Sequence, residues 1–517
     1  MSRRGAVGAA VLVAWAAGFG LLARRRALEP ESERIAANVI NVQPGAAYFT
    51  ISQAGQQIGW ASARVDTTGS GVRVNYTATA DVPLGGRLQR AAIDSRVLLS
   101  RRFELSWFTL AVRWPDGSFR ITGTPATDTS MTLLTRTGKD APDTLRLHTT
   151  AAVLVPSVIP LAVTLGRPLS LGETREFRVF DPVAMGERTM RLRVVKDSTF
   201  VVNDSTHFDS ASKRWQGVLP TPTHAFKLVS GDSAGGTVAW VDAAGQLVRL
   251  EYPGGFTLER QPYEVAYENW RADAADAPRT VTADRDILES TAIAARSPLG
   301  TRTYERMRVQ LSGADLSAFQ ELASERQTDV RGLVTVERES GTQLDANYTL
   351  PMSNEARARF PTELAPEPLI ESARPEIVDL AARIVGGERD PRLAAERIAR
   401  WVHDSLAKDI TFGLPDAVQV LRARRGDCNE HTALFIALAR ATGIPARSAA
   451  GLAYVNGKFY YHAWPEIYLA RWVPVDPTFG EFPADASHLR FVVGGLERQA
   501  ALLRLIGTLK IDVLSAR

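Results

Sequence analysis

Two hydrophobic rhythms divide this chain of 517 residues. As far as about Trp270, apolar and polar positions alternate one by one. From Pro375 onward, apolar positions recur every three or four residues. The alternation is clearest where Val72, Val74 and Tyr76 interleave with Arg73, Asn75 and Thr77, the period of a half-buried strand. Turn formers punctuate the same region at Ala54-Gly55, Thr68-Gly69-Ser70-Gly71, Pro115-Asp116-Gly117, Ala244-Gly245 and Pro253-Gly254-Gly255. Strand following strand with no helix between predicts a large antiparallel sheet over residues 45–271, either a curved half-barrel or a sandwich. Its role is not legible: a binding surface and a spacer are both open. Arg271 to Arg279 reads as a linker. Residues 284–352 read as a smaller β-rich domain, followed by a Pro- and Glu-rich linker from Pro351 to Pro375.

The helical rhythm begins there. Ile377, Leu380, Ala381 and Ile384 share one face, and Gly386-Gly387 closes that helix. Asp390-Pro391 is an N-cap followed by a first-turn proline, and Ala394, Ile398, Trp401 and Val402 line the next helix. Asp416 to Ala423 is a third, short helix. Residues 370–495 are therefore expected to form a C-terminal α+β domain, with 496–517 as a tail.

The start of the chain has neither rhythm. Gly5 to Ala23 is an unbroken apolar run of about 19 residues, flanked by Arg3 and Arg4 before and Arg24 to Arg26 after. Residues 1–26 are read as an uncleaved membrane anchor, with a removed or twin-arginine signal as the other reading; residues 27–44 are its tether. This predicts a single-pass protein with the bulk of the chain outside the cytoplasm.

Composition adds limits. Hydrophobic residues make up 45% and charged residues 23%, as in a folded protein, and the formal net charge is only +4. No basic stretch is interleaved with aromatics as a nucleic-acid groove requires, so nucleic acid is not an expected partner. The single cysteine excludes an internal disulfide and a thiolate zinc site. The seven histidines are scattered, so neither a metal nor another cofactor is implied.

The chemistry concentrates between Arg424 and Thr478. Asp427 can cap a helix beginning near Cys428, whose thiol would then sit at the positive helix end beside free backbone N–H groups. Ala433 to Ala439 is almost wholly apolar, Gly443 suits the helix C-terminus and Pro445 stops it. Two strands follow, Lys458 to Leu469 and Trp472 to Asp476. A cysteine opening a helix, His462 on one strand and Asp476 on the next are the parts of a thiol nucleophile, its base and the group that orients the base. For His462 and Asp476 to share a face, the paired residue numbers must sum to an even value, with an odd number of residues in the connecting loop. A two-residue turn at Ala470-Arg471 would separate them. His431, one turn along the helix from Cys428, is the rival base, but no carboxylate is evident to orient it. Glu430 and Glu466 read as local hydrogen-bonding residues, Trp464 and Trp472 as core aromatics.

Gly426-Asp427-Cys428 with its apolar helix, Gly443-Ile444-Pro445-Ala446-Arg447, His462-Ala463-Trp464-Pro465-Glu466 and Trp472-Val473-Pro474-Val475-Asp476-Pro477-Thr478 together resemble the bacterial transglutaminase-like family. The resemblance covers about Pro375 to Val493. It implies a papain-like core, with Cys428 as nucleophile, His462 as base and Asp476 as orienting carboxylate. The implied activity is acyl transfer from a peptide or protein amide, either to water, as in a cysteine peptidase, or to an amine. The calcium sites of animal transglutaminases have no counterpart here. The expected whole is an α+β protein of the bacterial inner membrane, with an N-terminal transmembrane helix, a large and a small β-rich domain, and a catalytic domain in the periplasm. The other functional class left open is a non-catalytic envelope binding or scaffold protein that uses its β-rich region.

Overall fold

The computed structural model describes residues 42–517 apart from 116, 139–141, 166, 183–184, 231–236, 253–254, 277–280, 283–285, 296–298, 301–302 and 411–414. Fourteen antiparallel strands between Gly45 and Gln261 form one sheet. Its first and last strands are neighbours, with Tyr48 opposite Gln261 and Gln53 opposite Phe256. From that seam, successive hairpins run outward both ways, to Asp143–His148 at one edge and Thr174–Asp181 at the other. The alternation in sequence becomes an alternation in space: Val72 and Val74 are buried and Arg73 between them is exposed.

A short helical segment, residues 156–165, carries the chain from one edge toward the other. Its Val158, Leu161, Ala162 and Leu165 share a core with Val97, Ile121 and Leu133 from one half of the sheet and Phe180 from the far edge. The sheet therefore curls around this segment, and the rings of Phe108 and Phe180 meet at 5.6 Å despite their distance in strand order.

The second half packs four helices on a small sheet. The helices are α1 (Pro375–Val385), α2 (Pro391–Ser405), α3 (Ala417–Ala423) and α4 (Cys428–Ala441). The strands are β1 (Ala446–Val455), β2 (Lys458–Tyr468), β3 (Trp472–Pro474) and β4 (His488–Val493). β1 lies between β2 and β4, and β3 pairs with the end of β2. α4 is central, touching α1, α2 and α3 on one side and β2 on the other. That position explains its all-apolar middle, where Leu434 to Ala439 are fully buried. Asn456 and Gly457, both at positive φ, make the two-residue turn from β1 to β2.

A third sheet pairs Arg306–Ser312 with Leu333–Glu337 on one side and with the C-terminal Lys510–Ala516 on the other. Its Met307, Val309, Val334 and Val336 share one core with Leu452, Phe459 and Phe491 of the helix-bearing unit.

Two expectations are corrected here. The α+β class gives way to a mostly β chain, 49% strand against 21% helix, because the large antiparallel sheet outweighs the four packed helices. The N-terminal transmembrane helix, and with it the single-pass placement in an inner membrane with a periplasmic bulk, is not supported. No helix among the described residues is long and apolar enough to cross a membrane. The apolar run Gly5 to Ala23 that suggested the span lies outside the described residues, as does most of the tether.

Candidate active site

The site is built on the first turn of α4. Asp427 accepts from the Asn429 amide at 3.0 Å, while Glu430 reaches back to the Asp427 amide at 2.9 Å, a reciprocal capping box. Gly426 makes room for it: a Cβ there would lie 2.2 Å from the Glu430 Cβ. Gly426→Ala is therefore expected to displace Glu430, destabilise the chain by about 1 kcal/mol and slow alkylation of Cys428. A denaturation midpoint and a labelling rate read on the same protein check both effects.

Cys428 opens the helix and is only partly shielded from solvent. The backbone N–H of Ala463, on β2, donates to its sulfur. Burial of the thiol by surrounding protein, with the Asp427 carboxyl beside it, pushes its pKa well up. The Ala463 amide works the other way, toward the thiolate, as the helix terminus does.

His462 precedes Ala463 on the same strand. The pairs Glu466–Pro474, Ile467–Val473 and Tyr468–Trp472 give even sums and leave a three-residue loop, Leu469 to Arg471. The side chains of His462 and Asp476 consequently meet, and His462 Nε2 lies 2.7 Å from Asp476 Oδ2. The other carboxylate oxygen of Asp476 accepts from the amides of Thr478 and Phe479 at 2.8 and 3.0 Å. Asp476 is fully buried. Burial works to raise its pKa, but the charges and hydrogen bonds of His462 and His488 overcome this and hold the carboxyl well below the ordinary range.

Of the rival base, His431, one ring nitrogen is engaged and the other, Nε2, is buried without a hydrogen-bond partner among the described residues. His431 Nδ1 donates to the Asp427 carbonyl at 2.7 Å, within its own helix, and burial lowers its pKa. Glu466 is the centre of a buried ion cluster, bound by Arg447 at 2.7 Å and Arg490 at 2.8 Å. The Arg447 guanidinium also lies over Trp472, 3.9 Å from the ring centroid. Trp464 is 1% exposed, a core aromatic.

Three residues escaped the sequence reading. Phe479 stacks on His462 with centroids 4.6 Å apart and planes within 5°, and remains 40% exposed, so it forms a wall beside the imidazole. His488 Nε2 lies 2.9 Å from Asp476 Oδ2, the oxygen that His462 also uses, and Asp485 holds the other face of His488. Their only sequence signal is a histidine and an aspartate just beyond the last recognisable block. Ligand atoms of His462, Asp476 and His488, and of Glu481, Asp485 and His488, converge within 4.8 Å. The imidazole nitrogens sit at 2.7 to 3.3 Å from carboxylate oxygens, which is the geometry of an ion-paired hydrogen-bond network.

Residues 378–477 match the model of the transglutaminase-like superfamily, and this segment is a transglutaminase-like domain. An uncharacterized protein of Haemophilus influenzae is 32% identical over an alignment that covers 18% of this chain and 33% of that protein. The chain thus spans about a third of the length of this curated relative. Among solved structures, a beta-barrel-like protein of unknown function from Brucella abortus covers 43% of this chain and 95% of its own at 11% identity and a TM-score of 0.30. The periplasmic domain of TgpA from Pseudomonas aeruginosa covers 37% and 75% at 16% identity and a TM-score of 0.21.

Proposed function

We propose that residues 370–495 carry out thiol-dependent acyl transfer on a peptide or protein amide. In this reading Cys428 is the nucleophile, His462 the base and Asp476 the carboxylate that orients it. One observation carries the reading: the Cys428 sulfur accepts from the amide of Ala463, the residue after His462, and His462 Nε2 lies 2.7 Å from Asp476 Oδ2. The transglutaminase-like match over these residues supports it.

In the first step His462 takes the proton of Cys428 as the sulfur attacks the amide carbonyl. A C–S bond forms and the carbonyl electrons move to oxygen. The Cys428 amide on the first turn of α4, which takes no part in the capping box, stabilises that oxyanion. Collapse breaks the C–N bond, and the proton on His462 passes to the leaving amine. The thioester then reacts with water or with a second amine. His462 removes the proton of the incoming nucleophile, and the sulfur recovers it on release. Phe479 shields one face of the imidazole throughout.

Trapping tests this. The full chain, incubated with pooled peptide amides and quenched in acid, is expected to carry an acyl adduct on Cys428 that is absent from Cys428→Ser. Adding a primary amine then separates the two outcomes, since an amide-linked product marks transamidation and a free acid marks hydrolysis. No adduct or product from any amide, together with the alkylation rate of an ordinary thiol, would refute the reading.

A further inference from the structure

His488 opens β4 and is 2% exposed. Its two ring nitrogens face two different carboxylates. Nε2 lies 2.9 Å from Asp476 Oδ2 and Nδ1 lies 3.3 Å from Asp485 Oδ1. A neutral imidazole has one N–H and one lone pair, and here the lone pair would point at an anionic oxygen. A doubly protonated ring satisfies both contacts.

The surroundings hold both carboxylates ionised. Asp485 Oδ1 also accepts from the Ser487 amide at 2.8 Å and its hydroxyl at 2.6 Å, and Oδ2 accepts from the Tyr304 amide at 3.0 Å. Asp476 accepts two backbone amides on the oxygen that His488 leaves free. Each packed element contributes to the field around His488. β2 presents His462, with ring centroids 5.8 Å apart, and Trp464. The segment after β3 presents Asp476, Phe479 and Glu481, whose carboxylate accepts from the Asp485 amide at 2.8 Å. The residues before β4 present Asp485. From the bend just before residue 327, Arg326 donates to the Asp485 carbonyl at 2.8 Å and lies within 3.7 Å of Glu339.

We propose that His488 is a positioning residue of this site, protonated through neutral pH, an imidazolium that clamps Asp476 from behind and offsets its charge toward His462. The role rests on the acyl-transfer reading above. Two imidazoles share one carboxylate oxygen, so the negative charge that would otherwise act on His462 alone is partly spent on His488. A base that must accept the Cys428 proton has to be free of a proton beforehand. A fixed cation behind Asp476 favours that state, because it works against any further positive charge nearby. In keeping with the geometry, the hydrogen bonds to Asp476 and Asp485 overcome burial and push His488 up to about 10. Asp485 is held down to about 2, chiefly by His488, against its own burial.

Two measurements on the full chain test the role. The first follows histidine ring nitrogens by NMR in protein labelled with 15N-histidine, with His488 assigned by its loss in His488→Gln. The expected result is that both His488 nitrogens remain protonated through mildly alkaline pH. A singly protonated ring at neutral pH overturns the proposal, and this readout needs only the wild-type fold. The second compares the pH profile of Cys428 alkylation in wild type and His488→Gln, which retains a donor toward Asp476 but not the charge. Removing a cation makes the Cys428–His462 pair release its proton at higher pH, whichever partner holds it. The profile is expected to move up by about one pH unit. An unmoved profile in folded His488→Gln overturns the role. An unreactive Cys428, unchanged by His462→Ala, overturns the acyl-transfer reading and this role with it. A reactive Cys428 beside a neutral His488 overturns this role alone.

Discussion

Asp476→Asn is expected to lower acyl transfer on the order of 10^3-fold, because an orienting carboxylate sets both the tautomer and the direction of its histidine. The substitution preserves shape but offers a neutral oxygen and an N–H where two imidazoles need an acceptor. His462 then loses the partner that fixes its ring, and His488 keeps its charge with one carboxylate instead of two. An under-compensated buried charge costs about 3 kcal/mol, so stability falls together with activity.

The pH dependence separates this cost from simple loss of packing. The Asp476 carboxyl is held below its ordinary value of 3.8, so its contribution is present above that pH and lost as pH falls below it. His488 is raised from 6.5 to about 10, so its contribution is complete below 6.5 and is lost as pH rises toward 10. Wild-type Tm is therefore expected to be highest between those ordinary values and to decline on the alkaline side. In Asp476→Asn the curve is expected to be lower and flatter. A curve of unchanged shape would show that the pair contributes nothing to folding.

His462→Ala is expected to remove acyl transfer by on the order of 10^3-fold or more, about 4 kcal/mol of transition-state stabilisation. The reason is specific to this site. Burial and Asp427 push the Cys428 pKa up, so without a base the thiol is expected to be a poor nucleophile near neutral pH. The single cysteine makes the check direct, since alkylation of the whole chain reports Cys428 alone. Labelling at neutral pH is expected to fall steeply in the variant and to recover only at strongly alkaline pH. His431→Ala, by contrast, should leave labelling near the wild-type rate, because His431 is tied to its own helix at Asp427. Equal loss in both variants would point to a disturbed helix start rather than to a missing base.

Much of the candidate site was legible in the sequence. The spacing of Asp427, Cys428 and Glu430 is a helix-capping pattern, and caps are local, so the cysteine's place on the first turn followed. The even-sum register of β2 and β3 followed from strand alternation once His462 and Asp476 were required to share a face. The long alternating region gave its large antiparallel sheet for the same reason. The apolar run near the start suggested a membrane span by length alone, and no described helix has that character. The balance of strand over helix was misjudged because periodicity locates strands without revealing how far they extend.

The sequence by itself determined what depends on neighbours a few residues apart: the cap at Asp427 and the strand faces. Only the tertiary structure decided what depends on chain segments meeting across irregular backbone. Arg306–Ser312 joins the C-terminal Lys510–Ala516, the large sheet closes its seam between Gly45–Gln53 and Phe256–Gln261, and His488 reaches Asp476. The last case gives the physical reason. Between Asp476 and His488 the chain runs through turns and a backbone bridge to Glu481, where no period relates residue number to direction. What places the second imidazole on the same oxygen is the pairing of β4 with β1, a register set by the packed core and not by the residues beside it.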